Sequence, residues 1–230
     1  MKKYITLFIP SFLGLAVFGV FARLIAEAYP QISWLKDAYW LVHLVLPLVL
    51  MGSALALHLT AKGRTAMHLV SYLFNAIGAG CLVGAIYGLR DYIPTAELLP
   101  GLIPAAALCA VACLIPLLPN EFWKELVSLA LPVLAIGLVI AGIFVWGFRS
   151  MPFGCAFLFS GLFVLPFPRS VFHADEEWSD RFRYLSYSGF GAFALVSIVA
   201  AFILSDGEIL DGLDGIDFGD IGGSGNKKGK

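Results

Sequence analysis

Seven long apolar stretches, with almost no charge inside them, dominate this 230-residue chain. A helix needs about 20 apolar residues to cross roughly 30 Å of hydrocarbon. Residues 5–25, 39–59, 68–89, 101–118, 126–147, 152–168 and 184–204 meet or approach that length. Hydrophobic residues make up 60% of the chain and charged residues 13%, whereas a soluble domain is about 25% charged. Folded in water, such a chain would lack polar surface to cover itself; lipid removes the conflict. The expected fold is all-α, a polytopic transmembrane bundle of seven spans over residues 1–204, with six as the alternative count. Residues 205–230 read as a flexible, acidic, glycine-rich tail.

Spans four and six are the doubtful crossings. The fourth carries Pro104 near its start and Pro116 and Pro119 at its end, and the sixth stops at Pro166 and Pro168. Proline removes a backbone donor and blocks helix continuation. Pro10, Pro47 and Pro132 fall within spans one, two and five, where each invites a kink. The opening Met1-Lys2-Lys3 also resembles the start of a signal peptide, but the apolar run from Tyr4 to Ile25 is longer than a signal's core. A retained first helix is expected.

Lys and Arg in short loops set orientation. With seven spans, Lys2, Lys3, Lys62, Arg64, Lys124, Arg169, Arg181 and Arg183 fall on one side. Arg23, Lys36, Arg90 and Arg149 fall on the other, with three lysines far out on the tail. The expected topology places the N-terminus inside and the C-terminus outside a cell (cytoplasmic) membrane. Trp34, Tyr39, Trp40, Tyr87, Tyr92 and Trp146 are then expected in an outer aromatic belt, and Trp123, Trp178, Tyr184 and Tyr187 in an inner one.

Span three repeats Ala76, Gly80, Gly84 and Gly88 every four residues on one face. Lipid gives helices little hydrophobic reason to associate, so close backbone approach through small residues supplies the contact energy. A seam within the bundle is expected there, with a homodimer as the alternative. Span four presents a matching small surface in Ala105, Ala106, Cys109, Ala110 and Cys113. All four cysteines lie in apolar segments and read as packing residues, with no disulfide framework.

Ionisable groups inside spans are costly and mark candidate sites. Arg23 and Glu27 stand one turn apart near the outer end of span one, spaced for an interfacial ion pair or, as the alternative, a charged gate at an outward-facing cavity. His43 lies about one turn into span two and Asn75 about two turns into span three. Antiparallel spans put those two at different depths, so they serve as candidate cavity-lining groups without forming a catalytic pair. His58 and His68 flank the loop of residues 60–65, with no Cys or carboxylate beside them in sequence. They read as interfacial histidines, and no metal, haem or other cofactor is expected.

Glu176-Glu177-Trp-Ser-Asp-Arg181 resembles EExxxR, the first motif of the CPBP intramembrane metalloproteases. That family follows it with two histidine-bearing motifs, and no histidine occurs here after His173. The segment is read as a solvated loop or short surface helix. Rhomboid-like serine catalysis finds no later histidine to act as base for Ser160 or Ser188. No catalytic residue is assigned. With fifteen Lys and Arg scattered over loops and ends, no basic face for nucleic acid exists.

In the tail, Asp211, Asp214 and Asp217 recur every three residues between Leu210, Leu213, Ile216 and Phe218. The spacing does not build a calcium loop. It suits a disordered acidic segment or a peptide that docks a membrane or extracytoplasmic partner. Beyond the lipid bilayer itself, then, three functional classes stay open: a small-molecule transporter or channel, a non-catalytic subunit that docks a partner through this tail, and an intramembrane enzyme acting on lipid.

Overall fold

The computed structural model describes residues 2–28, 31–32, 45–89, 98–148, 151–168 and 178–204. Among the described residues the chain is all-helical, with seven α-helices and no strand. They are α1 (Lys2–Ala28), α2 (Leu46–Thr60), α3 (Thr65–Leu89), α4 (Leu98–Leu114), α5 (Glu121–Phe148), α6 (Met151–Val164) and α7 (Trp178–Leu204). A 3-10 turn over Ile115–Leu117 closes α4, at the proline expected to stop it. The tail residues Leu210, Asp211, Leu213, Asp214, Ile216, Asp217 and Phe218, and His43 in span two, lie outside the described residues.

Each apolar stretch becomes a helix, but long and short ones alternate. Four are long and apolar enough to cross a membrane: Phe8–Ala28, Thr65–Gly88, Glu121–Val145 and Phe182–Ala200. Over their described residues α2, α4 and α6 have 15, 17 and 14 residues, roughly 21–26 Å at about 1.5 Å per residue. Four crossings are therefore carried by length and composition, where seven were expected. Pro47 stands at the second residue of α2, directly after the π-helical Val45.

The third helix is the hub. It packs on α1, α2 and α7, while α4 packs on α1, α5 and α6, and α6 also meets α7. Gly14 faces Tyr72, and Gly80 and Gly84 face Phe18 and Ala22, so α1 and α3 run parallel. Ser186 meets Ser71 and Phe193 meets Gly78, so α7 is parallel to both. In contrast, Ser11 meets Cys113 and Gly19 meets Leu102, which makes α4 antiparallel to α1. The first turns of α1, α3, α5 and α7 consequently gather at one end of the bundle.

Gly80 and Gly84 of α3 lie against the backbone of α1. A methyl group on Gly80 would lie 2.5 Å from the Phe18 carbonyl oxygen, and one on Gly84 would overlap the Ala22 carbonyl. Ala76 and Gly88 are buried as well. The small surface of α4, expected to receive this seam, instead packs Cys113 beside Ser11 of α1 and Gly101 beside Ala156 of α6. Ser160 of α6 donates to the Gly101 carbonyl at 3.2 Å. Phe163 of α6 reaches the centre, its ring 5.1 Å from Phe18 and 6.2 Å from Tyr72.

Burial separates hub from periphery. In its most apolar stretch α3 is 72% buried, against 17% for α5. Leu129, Val133, Leu134, Ile140 and Phe144 of α5 all point outward. Such a surface would aggregate in water and is satisfied by hydrocarbon, so the apolar helices suggest a membrane location. Tyr87, expected in the outer aromatic belt, is fully buried. A position near the end of an apolar run does not place a ring at the interface when the residues around it, here 81–88, are all buried.

Candidate functional site: a basic corner of α2, α3 and α7

One end of the bundle brings together polar groups that lie far apart in sequence. The last turn of α2 supplies His58 and Leu59, and a tight turn over residues 61–64 supplies Lys62 and Gly63. The first turn of α3 supplies His68, and the first turns of α7 supply Arg183, Ser186 and Tyr187. The Arg64 N–H donates to the Ala61 carbonyl at 2.7 Å, closing the turn. Both central residues are left-handed, Lys62 at φ +40° and Gly63 at φ +82°. That geometry suits glycine and asparagine, and costs a lysine about 1 kcal/mol. A lysine held there against its preference is a signal worth reading functionally.

Behind the turn runs a directed chain of hydrogen bonds. Ser71 Oγ donates to the Ala54 carbonyl at 2.8 Å, which uses its only proton. Ser186 Oγ, 2.9 Å from Ser71 Oγ, must then be the donor in that pair. His58 Nδ1, 2.9 Å from Ser186 Oγ, is therefore protonated and donates in turn. Neutral His58 keeps its lone pair on Nε2. Ser186 and His58 thus resemble a nucleophile and its base in distance alone: the histidine has no lone pair to offer the serine.

The His58 ring is clasped by aromatic groups. Its centroid is 4.5 Å from that of Tyr187, 4.9 Å from that of His68 and 5.7 Å from that of Phe190. Arg183 and Tyr187 stand one turn apart on α7; the guanidinium donates to the phenol oxygen at 3.4 Å and lies 5.8 Å from the ring centroid. Between these groups is a cavity of about 240 Å³, lined by His58, Leu59, Lys62, Gly63, His68, Arg183 and Tyr187. No carboxylate is among the described residues lining it. Nor do the described residues hold any group of three His, Cys, Asp or Glu able to bind a metal ion. Lys62 and Arg183 make the lining cationic, which suits an anion, while neutral His58 adds an acceptor at Nε2.

The candidate residues from sequence take other places. Asn75 is one turn beyond Ser71 and fully buried; its Nδ2 donates to the Ser71 carbonyl at 3.0 Å. Its Oδ1 has no hydrogen-bond partner among the described residues. Asn75 does not line the cavity of the basic corner. Arg23 Nε pairs with Glu27 Oε1 at 2.7 Å in a half-exposed ion pair. That pair is at the opposite end of the bundle from the cavity, because α1 and α3 are parallel.

Sequence reasoning singled out His58 and His68 as neighbours of one loop but missed Ser71, Ser186, Arg183 and Tyr187 as their partners. Span parity already places all six toward the same end, and that was the available signal. No protein-family model, curated protein or solved structure matches this chain.

Proposed function

We propose that this chain is a membrane carrier whose ligand is anionic and binds at the basic corner, with that corner on the cytoplasmic side. The cavity that brings Lys62 and Arg183 to one rim carries the reading. Lys62, Arg64, Lys124 and Arg183 collect at this end of the bundle, as cytoplasmic loops require. Of the three functional classes, hydrolysis is the least supported, since the hydrogen-bond direction denies Ser186 a base. Both cations are outward-facing, so each contributes about 1 kcal/mol to holding an anion, less as salt rises.

The test is calorimetric titration of the protein in phosphatidylcholine nanodiscs with glycerol 3-phosphate and with an uncharged glycerol control. Binding of the phosphate alone, weakened roughly 10-fold by Lys62→Asn with Arg183→Gln, is the expected result. Equal heats for both solutes, or for the double variant, would overturn the reading.

A further inference from the structure

Building on the anionic-ligand reading, we infer that the ligand is a phospholipid that enters sideways from the bilayer, its phosphate in the basic corner and one acyl chain along α2. Leu59 belongs both to the cavity lining and to the outer surface of the bundle, at 69% exposure. From it an outward-facing ridge continues through Leu55, Gly52 and Leu48, at steps of four, three and four residues that keep to one helical face. Gly52 is a notch in that ridge: a methyl there would have no atom within 4 Å.

The dimensions match one leaflet. Leu48 to Leu59 spans roughly 16 Å at about 1.5 Å per residue, close to half of the ~30 Å hydrocarbon core. Tyr187 stands at the cavity rim, half exposed, and offers an apolar ring to the chain and a phenol to the headgroup. Lys62 and Arg183 carry their charges on long apolar stems suited to the same boundary. A soluble anion would find only two screened cations here. An anionic lipid arrives already concentrated in the plane of the membrane, so a modest pocket fills.

The experiment uses the full chain in phosphatidylcholine nanodiscs, with phosphatidic acid as the lipid probe and glycerol 3-phosphate as the soluble one. Three variants are compared with the unaltered protein: Lys62→Asn with Arg183→Gln, Gly52→Trp to fill the notch, and Gly137→Trp as a matched control. Gly137 is equally open, on α5 away from the corner. Expected results are a loss of about 10-fold in phosphatidic acid binding for the pocket variant and about 5-fold for Gly52→Trp. Gly137→Trp should bind as the unaltered protein does, and Gly52→Trp should leave glycerol 3-phosphate binding untouched. Glycerol 3-phosphate bound as tightly as phosphatidic acid, with no effect of Gly52→Trp, would overturn the lipid assignment while sparing the anion site. Failure of both probes to bind would overturn the anion site as well. A Gly137→Trp loss equal to that of Gly52→Trp would overturn the lane along α2, and a melt of each variant separates that from unfolding.

Discussion

The seam between α1 and α3 offers a sharp test of how the bundle is held together. Replace Gly80 by alanine. The new methyl would sit 2.5 Å from the Phe18 carbonyl oxygen, 3.1 Å from Phe21 Cβ and 3.3 Å from the Ala22 nitrogen. Carbon and oxygen in favourable contact stay about 3.3–3.6 Å apart, so α1 must retreat by close to 1 Å. A radial gap of about 0.5–1 Å forfeits a quarter to a half of the dispersion energy of each contact, itself ~0.1–0.2 kcal/mol. Over a few tens of atom pairs the loss is roughly 1–3 kcal/mol, the usual range for overpacking. Alanine also gains about 1 kcal/mol in helix propensity over glycine, which must be subtracted.

Gly137→Ala isolates that gain, because its methyl meets nothing within 4 Å. Unfolding by SDS titration in mixed micelles, followed by tryptophan fluorescence, measures both variants. The difference between them should be about 1–3 kcal/mol, with Gly80→Ala the less stable. Adding Gly84→Ala to Gly80→Ala should cost less than the sum of the two, since one retreat of α1 relieves both clashes. Equal stabilities for Gly80→Ala and Gly137→Ala would refute the seam.

Four further outcomes follow from the polar groups. In nitrogen-15 spectra neutral His58 should show its proton on Nδ1; a proton on Nε2 would contradict the donor order from Ser71 through Ser186. Ser186→Ala should cost about 1–3 kcal/mol by stranding that proton, with Ser186→Thr restoring most of it in thermal melts. Asn75→Thr, which nearly keeps the volume and removes an orphaned buried oxygen, should change stability by no more than about 1 kcal/mol; a loss above about 2 kcal/mol would mean that Oδ1 has a partner. Lys62→Asn should hold stability within about 0.5 kcal/mol, because asparagine accepts the left-handed turn, while glycerol 3-phosphate binding falls several-fold.

Apolar runs made the seven helices legible, since hydrocarbon length and helix rise leave little choice. The α3 glycine repeat was legible too, as a surface without a partner: periodicity along one helix says which face packs, never against what. That is why α4 looked like the match and α1 turned out to be it. Tyr87 and Trp123 read alike at the ends of apolar runs, yet one is fully buried and the other 48% exposed. Depth depends on neighbours contributed from elsewhere in the chain. The basic corner was hidden for the same reason, His58 and Ser186 being 128 residues apart. His43 and the tail residues from Leu210 to Phe218 lie outside the described residues.

The hub position of α3 also sets an order in time. The carbonyls of Phe18 and Ala22 wait for Gly80 and Gly84, about sixty residues later in the chain. At a synthesis rate of about 5–20 residues per second that interval is roughly 3–12 s. Through it α1 lacks the backbone contacts that hold it, and any fragment ending before Gly80 never gains them. The hairpin of α2 and α3, joined by the tight turn at Lys62, needs only local contacts and can close at once. Assembly therefore begins in the middle of the amino-terminal half, and the first helix made is recruited rather than recruiting.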